Sequence, residues 1–154
     1  MNVKDMFGSV ETVLVIDWPR KEVPELLARA GLRVVVRGGP GPEDYSIYEV
    51  NKGEVHDGEV TERRTGCAPE RADLIYSYRP LSEVPGIIAT AKELGAKTIW
   101  YQSGVNATGG KDPTGCWVAE GELQIARGLV EAAGLCFITE PYIGDAAREI
   151  RVAG

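Results

Sequence analysis

Basic and aromatic residues gather just after the first apolar run of the chain. TVLVID ends at Asp17 and is followed by Trp18, Pro19, Arg20 and Lys21. An indole, a guanidinium and an ammonium so close together are groups that stack on a base and hold a phosphate. Arg37 ends a second apolar run, VVVR, and Tyr78 and Arg79 close a third, ADLIYSYR. Gln102, Ser103 and Gly104 close a fourth, KTIWYQSG. Gln102 can both donate and accept, which suits a base or a ribose, and Gly104 lets a backbone come close. Asp17 acts against a phosphate unless Arg20 or Arg37 neutralises it. Groups for covalent chemistry are fewer. Cys116, in KDPTGCWVAEGE, is the best nucleophile, because the amino end of a following helix lowers a thiol's pKa. A base for it would have to be His56, the one histidine, which sits in a different segment. Glu120, Glu122, Glu140 and Asp145 show no paired spacing. The three cysteines, Cys67, Cys116 and Cys136, make no CxxC or metal-type spacing, and an odd count argues against a disulfide framework. Cys136, inside the apolar run LCFI, is expected in the core.

The elements that must position these residues follow one grammar. PELLARAGLRVVV, IIATAKELGAKTIWY and ARGLVEAAGLCFI each pass from an Ala/Leu-rich helical pattern, through one glycine, into an apolar strand. Gly31, Gly95 and Gly134 stand where a helix ends in a left-handed residue. The strands are continuous apolar runs and not alternating ones, as in a parallel sheet covered on both faces. With TVLVID and ADLIYSY they predict a doubly wound, mostly parallel five-stranded α/β sheet. Residues 38–66 break the rhythm. YSIYEV and EVHDGEVTERR flank the turn signal Asn51-Lys52-Gly53 and read as a β-hairpin inserted after the second strand. It is an edge ornament, a homodimer contact or a flap over the ligand. A long connection, Ser103 to Glu122, follows the fourth strand, and VAEGELQIARGLVEAAG then begins what reads as the last helix.

At 154 residues the chain is expected to form one domain, 1–154. No run is long and apolar enough to span a membrane, and MNVKDMFGSV lacks the apolar core of a signal peptide, so the expected location is the cytoplasm. The net charge of −6 argues against nucleic acid and anionic membranes as partners. It leaves room for a small anionic ligand held by a few local cations and helix amides. In an open α/β sheet such a ligand lies at the carboxyl ends of the strands, near the reversal of strand order. The residues above all follow those ends.

The third and fourth strands carry a more specific signal. Tyr78-Arg79 is followed by Ser82-Glu83-Val84-Pro85, which opens a helix, and then by Ile99-Trp100-Tyr101-Gln102-Ser103-Gly104-Val105. This order resembles the small CoA-binding proteins related to the N-terminal domain of the succinyl-CoA synthetase alpha subunit. ARGLVEAAGLCFITEPYIG is similar to that family's last helix and strand. The resemblance implies a Rossmann-like fold and coenzyme A, or an acyl-CoA, as ligand. The implied binding residues are Trp18, Pro19, Arg20, Lys21, Arg37, Tyr78, Arg79, Gln102, Ser103 and Gly104. Ser82 is the expected N-cap of the helix, with Pro85 in its first turn. Two places depart from the family. Its first turn usually contains glycine where this chain has DWPRKEVPELL, and its second strand usually ends in Asn-Pro where this chain has VVVRGGPGPED. Pro19 or Pro24 can start the first helix, and Arg20 and Lys21 add charge there that a glycine cradle lacks. The synthetase's phosphohistidine chemistry needs a histidine in a second domain, which this chain lacks. A CoA sensor or carrier without chemistry of its own is therefore expected. An interaction module with a degenerate nucleotide site and a Cys116-dependent thiol enzyme stand as alternatives.

Overall fold

Seven strands and five helices appear in a computed structural model, which describes residues 3–16, 22–38, 44–50, 59–77, 81–102, 120–139 and 143–153. In chain order they are α1 (Val3–Gly8), β1 (Thr12–Ile16), α2 (Glu22–Arg29), β2 (Arg33–Arg37), β3 (Tyr45–Val50) and β4 (Val60–Arg64). There follow β5 (Leu74–Ser77), α3 (Val84–Leu94), β6 (Thr98–Tyr101), α4 (Glu120–Ala132), β7 (Cys136–Ile138) and α5 (Ile143–Ala153). The strands form one sheet in the order β4-β3-β2-β1-β5-β6-β7. β2, β1, β5, β6 and β7 run parallel, and β3 and β4 run antiparallel beside β2.

This is the expected doubly wound α/β sheet, with one correction. The hairpin inserted after the second strand joins the sheet at its edge and raises the strand count above the five expected. β3 pairs with β2 from Val34↔Tyr48 to Arg37↔Tyr45, so the sheet has seven strands. The reason is local: the Gly38 N–H donates to the Asp44 carbonyl at 3.0 Å, and the chain reverses directly onto the open edge of β2. The turn at Asn51-Lys52-Gly53 lies outside the described residues, as does His56.

Covering both faces explains the continuous apolar runs. Along β1, Val13 and Val15 enter one core with Phe7 of α1, Val23 and Leu27 of α2, and Ile143 of α5. Leu14 and Ile16 enter the other with Val84, Ile87 and Ala91 of α3 and Ala126 and Val130 of α4. Alternate side chains of one strand thus serve opposite layers. Trp100 and Tyr76 are the largest fully buried side chains, and Trp100 meets Phe7 edge to face at 5.6 Å.

Gly31, Gly95 and Gly134 hold the expected left-handed conformation, with φ of 95°, 79° and 82°. Beyond each, the next residue donates back across five positions: Leu32 to Leu27, Ala96 to Ala91, and Leu135 to Val130. One helix stop, used three times, turns the chain into a strand.

Other expectations need revision. α4 is not the last helix: α5 follows β7 and packs against α2 and α1. Ser82 is not the N-cap of α3. It lies in a short 3-10 turn, Leu81–Glu83, and Glu83 occupies the cap position without a side-chain capping bond. Pro85 does fall in the first turn, as does Pro24 in α2. Cys136 is exposed and not in the core, because β7 is the outermost strand and Cys136 begins it. Among the described residues, no helix is long and apolar enough to cross a membrane.

Candidate functional site

The order of the strands marks where a ligand site forms. Chain order runs outward in opposite directions from β1, through β2 on one side and β5 on the other. At the carboxyl end of this reversal Ile16 and Ser77 are neighbours, both fully buried. The helices that follow these two strands cover opposite faces of the sheet, the arrangement in which open α/β sheets place a ligand. α2 begins shortly after β1 on one face, and α3 begins shortly after β5 on the other. Both helices thus bring the positive ends of their dipoles to this edge.

Two of the expected site residues are described, and both are at this edge. Arg37 ends β2, half-buried between Ile16 of β1 and Tyr45 of β3. Gln102 follows β6, and its N–H donates to the Ser77 carbonyl at 3.1 Å, one step beyond the β5–β6 ladder. Trp18, Pro19, Arg20, Lys21, Tyr78, Arg79, Ser103, Gly104 and Cys116 lie outside the described residues. All of these but Cys116 follow closely on β1, β5 and β6, which end at Ile16, Ser77 and Tyr101.

The Gln102 side chain is only 6% exposed, and its amide is turned inward. Its Oε1 accepts from the Tyr76 hydroxyl at 3.2 Å and from the Ile143 N–H at 3.0 Å. Its Nε2 donates to the Thr139 carbonyl at 3.0 Å. The Ile143 amide is the first of α5 and has no carbonyl a turn earlier in its own helix. The side chain of the residue just after β6 therefore caps it. Gln102 ties together the carboxyl ends of β5, β6 and β7 and the start of α5, around the edge from which residues 78–80, 103–119 and 140–142 depart. Spacing gave no sign of Tyr76, Thr139 or Ile143 as partners. Only the polar tip of Tyr76 in an otherwise apolar strand hinted that something must meet it.

The opposite, amino-terminal edge is held by a carboxylate. Asp73 Oδ2 accepts from the backbone N–H groups of Glu11 and Thr12, at 3.0 and 2.9 Å. The Asp73 N–H in turn donates to the Thr12 carbonyl at 2.8 Å, which locks β1 to β5 from below.

A family model for the CoA binding domain matches residues 21–140. The match contains the Tyr78-Arg79 and Trp100-to-Gly104 segments, and it begins after Asp17-Trp18-Pro19-Arg20, the turn that departs from the family. Among solved structures, the chain is similar to cell-free ID.343 from Thermus thermophilus, with a TM-score of 0.55 and 18% identity, over 97% of this chain and 99% of that one. At that identity the likeness concerns the fold. No curated protein matches the chain significantly. The family match spans well over half of the sequence, runs from the start of α2 past β7, and leads to one conclusion: this chain belongs to the CoA binding domain family.

Proposed function

We propose that the chain binds CoA or an acyl-CoA along the carboxyl edge of the sheet and acts as a sensor or carrier without chemistry of its own. The observation that carries this reading is the reversal of strand order between Ile16 and Ser77 in a member of the CoA binding domain family. In the proposed arrangement the diphosphate faces the start of α2, where Arg20 and Lys21 supply charge in place of a glycine cradle. Trp18 and Pro19 form the wall of that turn. The adenosine lies toward Arg37, Tyr78 and Arg79, and Ser103 and Gly104 close over it from the end of β6. Gln102 serves by position: its inward hydrogen bonds hold the platform from which those segments leave. The unit of binding is the whole chain, 1–154, in the cytoplasm.

Calorimetric titration of CoA, dephospho-CoA and NAD tests the reading. CoA gives a saturable 1:1 heat and NAD does not. Arg20→Ala and Lys21→Ala each weaken CoA and dephospho-CoA equally, by roughly tenfold for each lost charge-assisted contact. A larger loss for CoA than for dephospho-CoA moves these residues from the diphosphate to the 3′-phosphate. No heat with any ligand removes the proposal. Cys116→Ser leaves CoA affinity unchanged, and loss of a CoA mixed disulfide in that variant supports the thiol enzyme instead.

One observation favours a second reading, an interaction module. Ile125 and Leu129, one turn apart on α4, are 68% and 48% exposed. A concentration-dependent mass in sedimentation, together with silence toward CoA, supports that reading, whether through α4 or through a homodimer contact at the hairpin.

A further inference from the structure

α4 is apolar on the side where a surface helix ordinarily carries its charge. Its inner side is in the core: Ala126 and Val130 are buried there with Ile87 and Ala91 of α3, and Leu123 packs against them. At about 100° per residue, the exposed arc runs from Glu122 at one margin to Gln124 and Glu131 at the other. Between those margins lie Gly121, Ile125, Gly128, Leu129 and Ala132, all exposed and none charged. Among the described residues, Ile125 and Leu129 are the two large apolar side chains left in solvent. A helix that is apolar on both sides is ordinarily covered on both.

The glycines narrow what kind of cover fits. Gly121 and Gly128 stand two turns apart on this stripe. Neither has a positive φ, and a methyl group added to either would meet nothing within 4 Å. Backbone conformation and packing inside the chain therefore do not account for them, and glycine is a poor helix former. What glycine on a helix surface permits is the close approach of another backbone.

Gly121, Ile125, Gly128 and Ala132 are spaced four, three and four residues apart, the seam spacing of paired helices. That spacing is the same from either end. A second copy of α4 running antiparallel therefore lays its Ile125 into the notch at Gly128, twice over, with Gly121 opposite Ala132. At one margin Gln124 comes beside Glu131 of the other copy, an amide donor beside a carboxylate, and no two carboxylates meet. This complementarity counts in a chain of net charge −6, whose copies repel each other elsewhere. Pairing through strands is hindered on this side: β7 ends the sheet, and its Phe137 carbonyl already accepts from Arg127 of α4 at 2.9 Å.

We propose that α4 is a self-association face, on which two copies of the chain pair antiparallel about a two-fold axis. The stripe is about 17 Å long and buries less than the roughly 1,200–2,000 Å2 of a stable complex, so the pair is a weak one. The proposal rests on the same exposed α4 face that favours an interaction module, and it holds whether or not CoA binds.

Sedimentation equilibrium of the full-length chain, run without ligand and so apart from the CoA titration, tests it. The mean mass rises from one chain toward two between micromolar and millimolar concentration. Ile125→Glu/Leu129→Glu raises the dissociation constant by at least about tenfold and leaves the melting temperature unchanged. Gly128→Leu supplies a test of sign. The new side chain has room in the single chain and suits a helix better, so the melting temperature of the dilute protein does not fall. Yet it fills the notch and weakens the pair by at least about tenfold. A merely sticky surface would associate more tightly with the added leucine, and that result overturns the antiparallel pairing. Association undiminished in the glutamate double variant overturns the assignment to α4. A single-chain mass up to millimolar concentration overturns the proposal, and a lowered melting temperature of the double variant then gives the stripe to residues 103–119 of the same chain.

Discussion

Replacing Gln102 with alanine tests how the carboxyl edge is held. The substitution removes one acceptor oxygen shared by the Tyr76 hydroxyl and the Ile143 N–H, and one donor to the Thr139 carbonyl. Ile143 is fully buried, so its amide loses a partner where water does not easily replace it. A buried donor left without a partner costs about 1–3 kcal/mol. Thr139 is half-buried and stands at the low end of that range. Together with the loss at Tyr76, the expected destabilisation is about 3–5 kcal/mol, a large share of the roughly 5–15 kcal/mol that holds a domain folded. Urea denaturation read by circular dichroism measures it, as a shift of midpoint at constant slope.

Gln102→Glu refines the same test. Its oxygens still accept from Tyr76 and Ile143, but an ionised carboxylate presents an oxygen, not a donor, to the Thr139 carbonyl. Burial and that carbonyl favour the protonated acid, so the folded state holds its proton above the ordinary glutamate range, near pH 4.3. The native form then binds more protons than the unfolded chain, and stability falls as pH rises from about 4.3 toward neutrality. A loss below about 1 kcal/mol for Gln102→Ala would contradict an inward-facing amide. So would a Gln102→Glu variant whose stability difference from the parent does not change with pH.

Three further outcomes follow from the same geometry. Asp73→Ala removes the acceptor of two backbone amides that join β1 to β5, and it is expected to lower stability by about 2–4 kcal/mol in urea, with Asp73→Asn losing less. Tyr48 stands across the ladder from Glu62, and burial, followed by the Glu62 carboxylate and their hydrogen bond, pushes its phenol up to about 12. The folded state keeps that proton while the unfolded chain releases it above pH 10. Stability is therefore complete below about pH 10 and declines up to about pH 12, by at most about 2–3 kcal/mol. Tyr48→Phe should flatten this alkaline limb in urea midpoints taken at pH 9 and pH 11.5. Gly95→Ala forces a side chain into the left-handed conformation at φ 79° with no atom crowding the new methyl, so the expected loss is about 1–2 kcal/mol of backbone strain, read as a lower melting temperature.

The helix–glycine–strand units were legible because two independent signals coincide in each: an apolar periodicity that switches, and a glycine where φ must be positive. The strands of the hairpin were legible as well, but not their place in the sheet. YSIYEV reads as a strand, and it says nothing about the partner strand or that neighbouring Ile47 and Tyr48 are buried in opposite layers. α1 and α5 escaped for different reasons. VKDMFG is shorter than two turns, and α5 buries Ala146 and Ala147, so its inward face carries few large residues to mark it. Cys136 looked interior because LCFI is apolar, yet an edge strand leaves its first residue open to solvent. For the site, fold rules located the edge from the strands alone. The direction of the Gln102 amide was not legible, since a glutamine after a strand serves a ligand or its own framework equally well. Only the positions of Tyr76, Thr139 and Ile143 decide that it faces inward.

The central claim is that CoA lies at the carboxyl edge of this sheet, and amide chemical-shift mapping during a CoA titration addresses it most directly. The account predicts saturable shifts at Ile16, Arg37, Gly38, Ser77 and Gln102, where β1, β2, β5 and β6 end. It predicts no change at Thr12, Arg33 and Asp73 at the other end of the same strands. Shifts confined to that far end, or none at millimolar CoA, would contradict it.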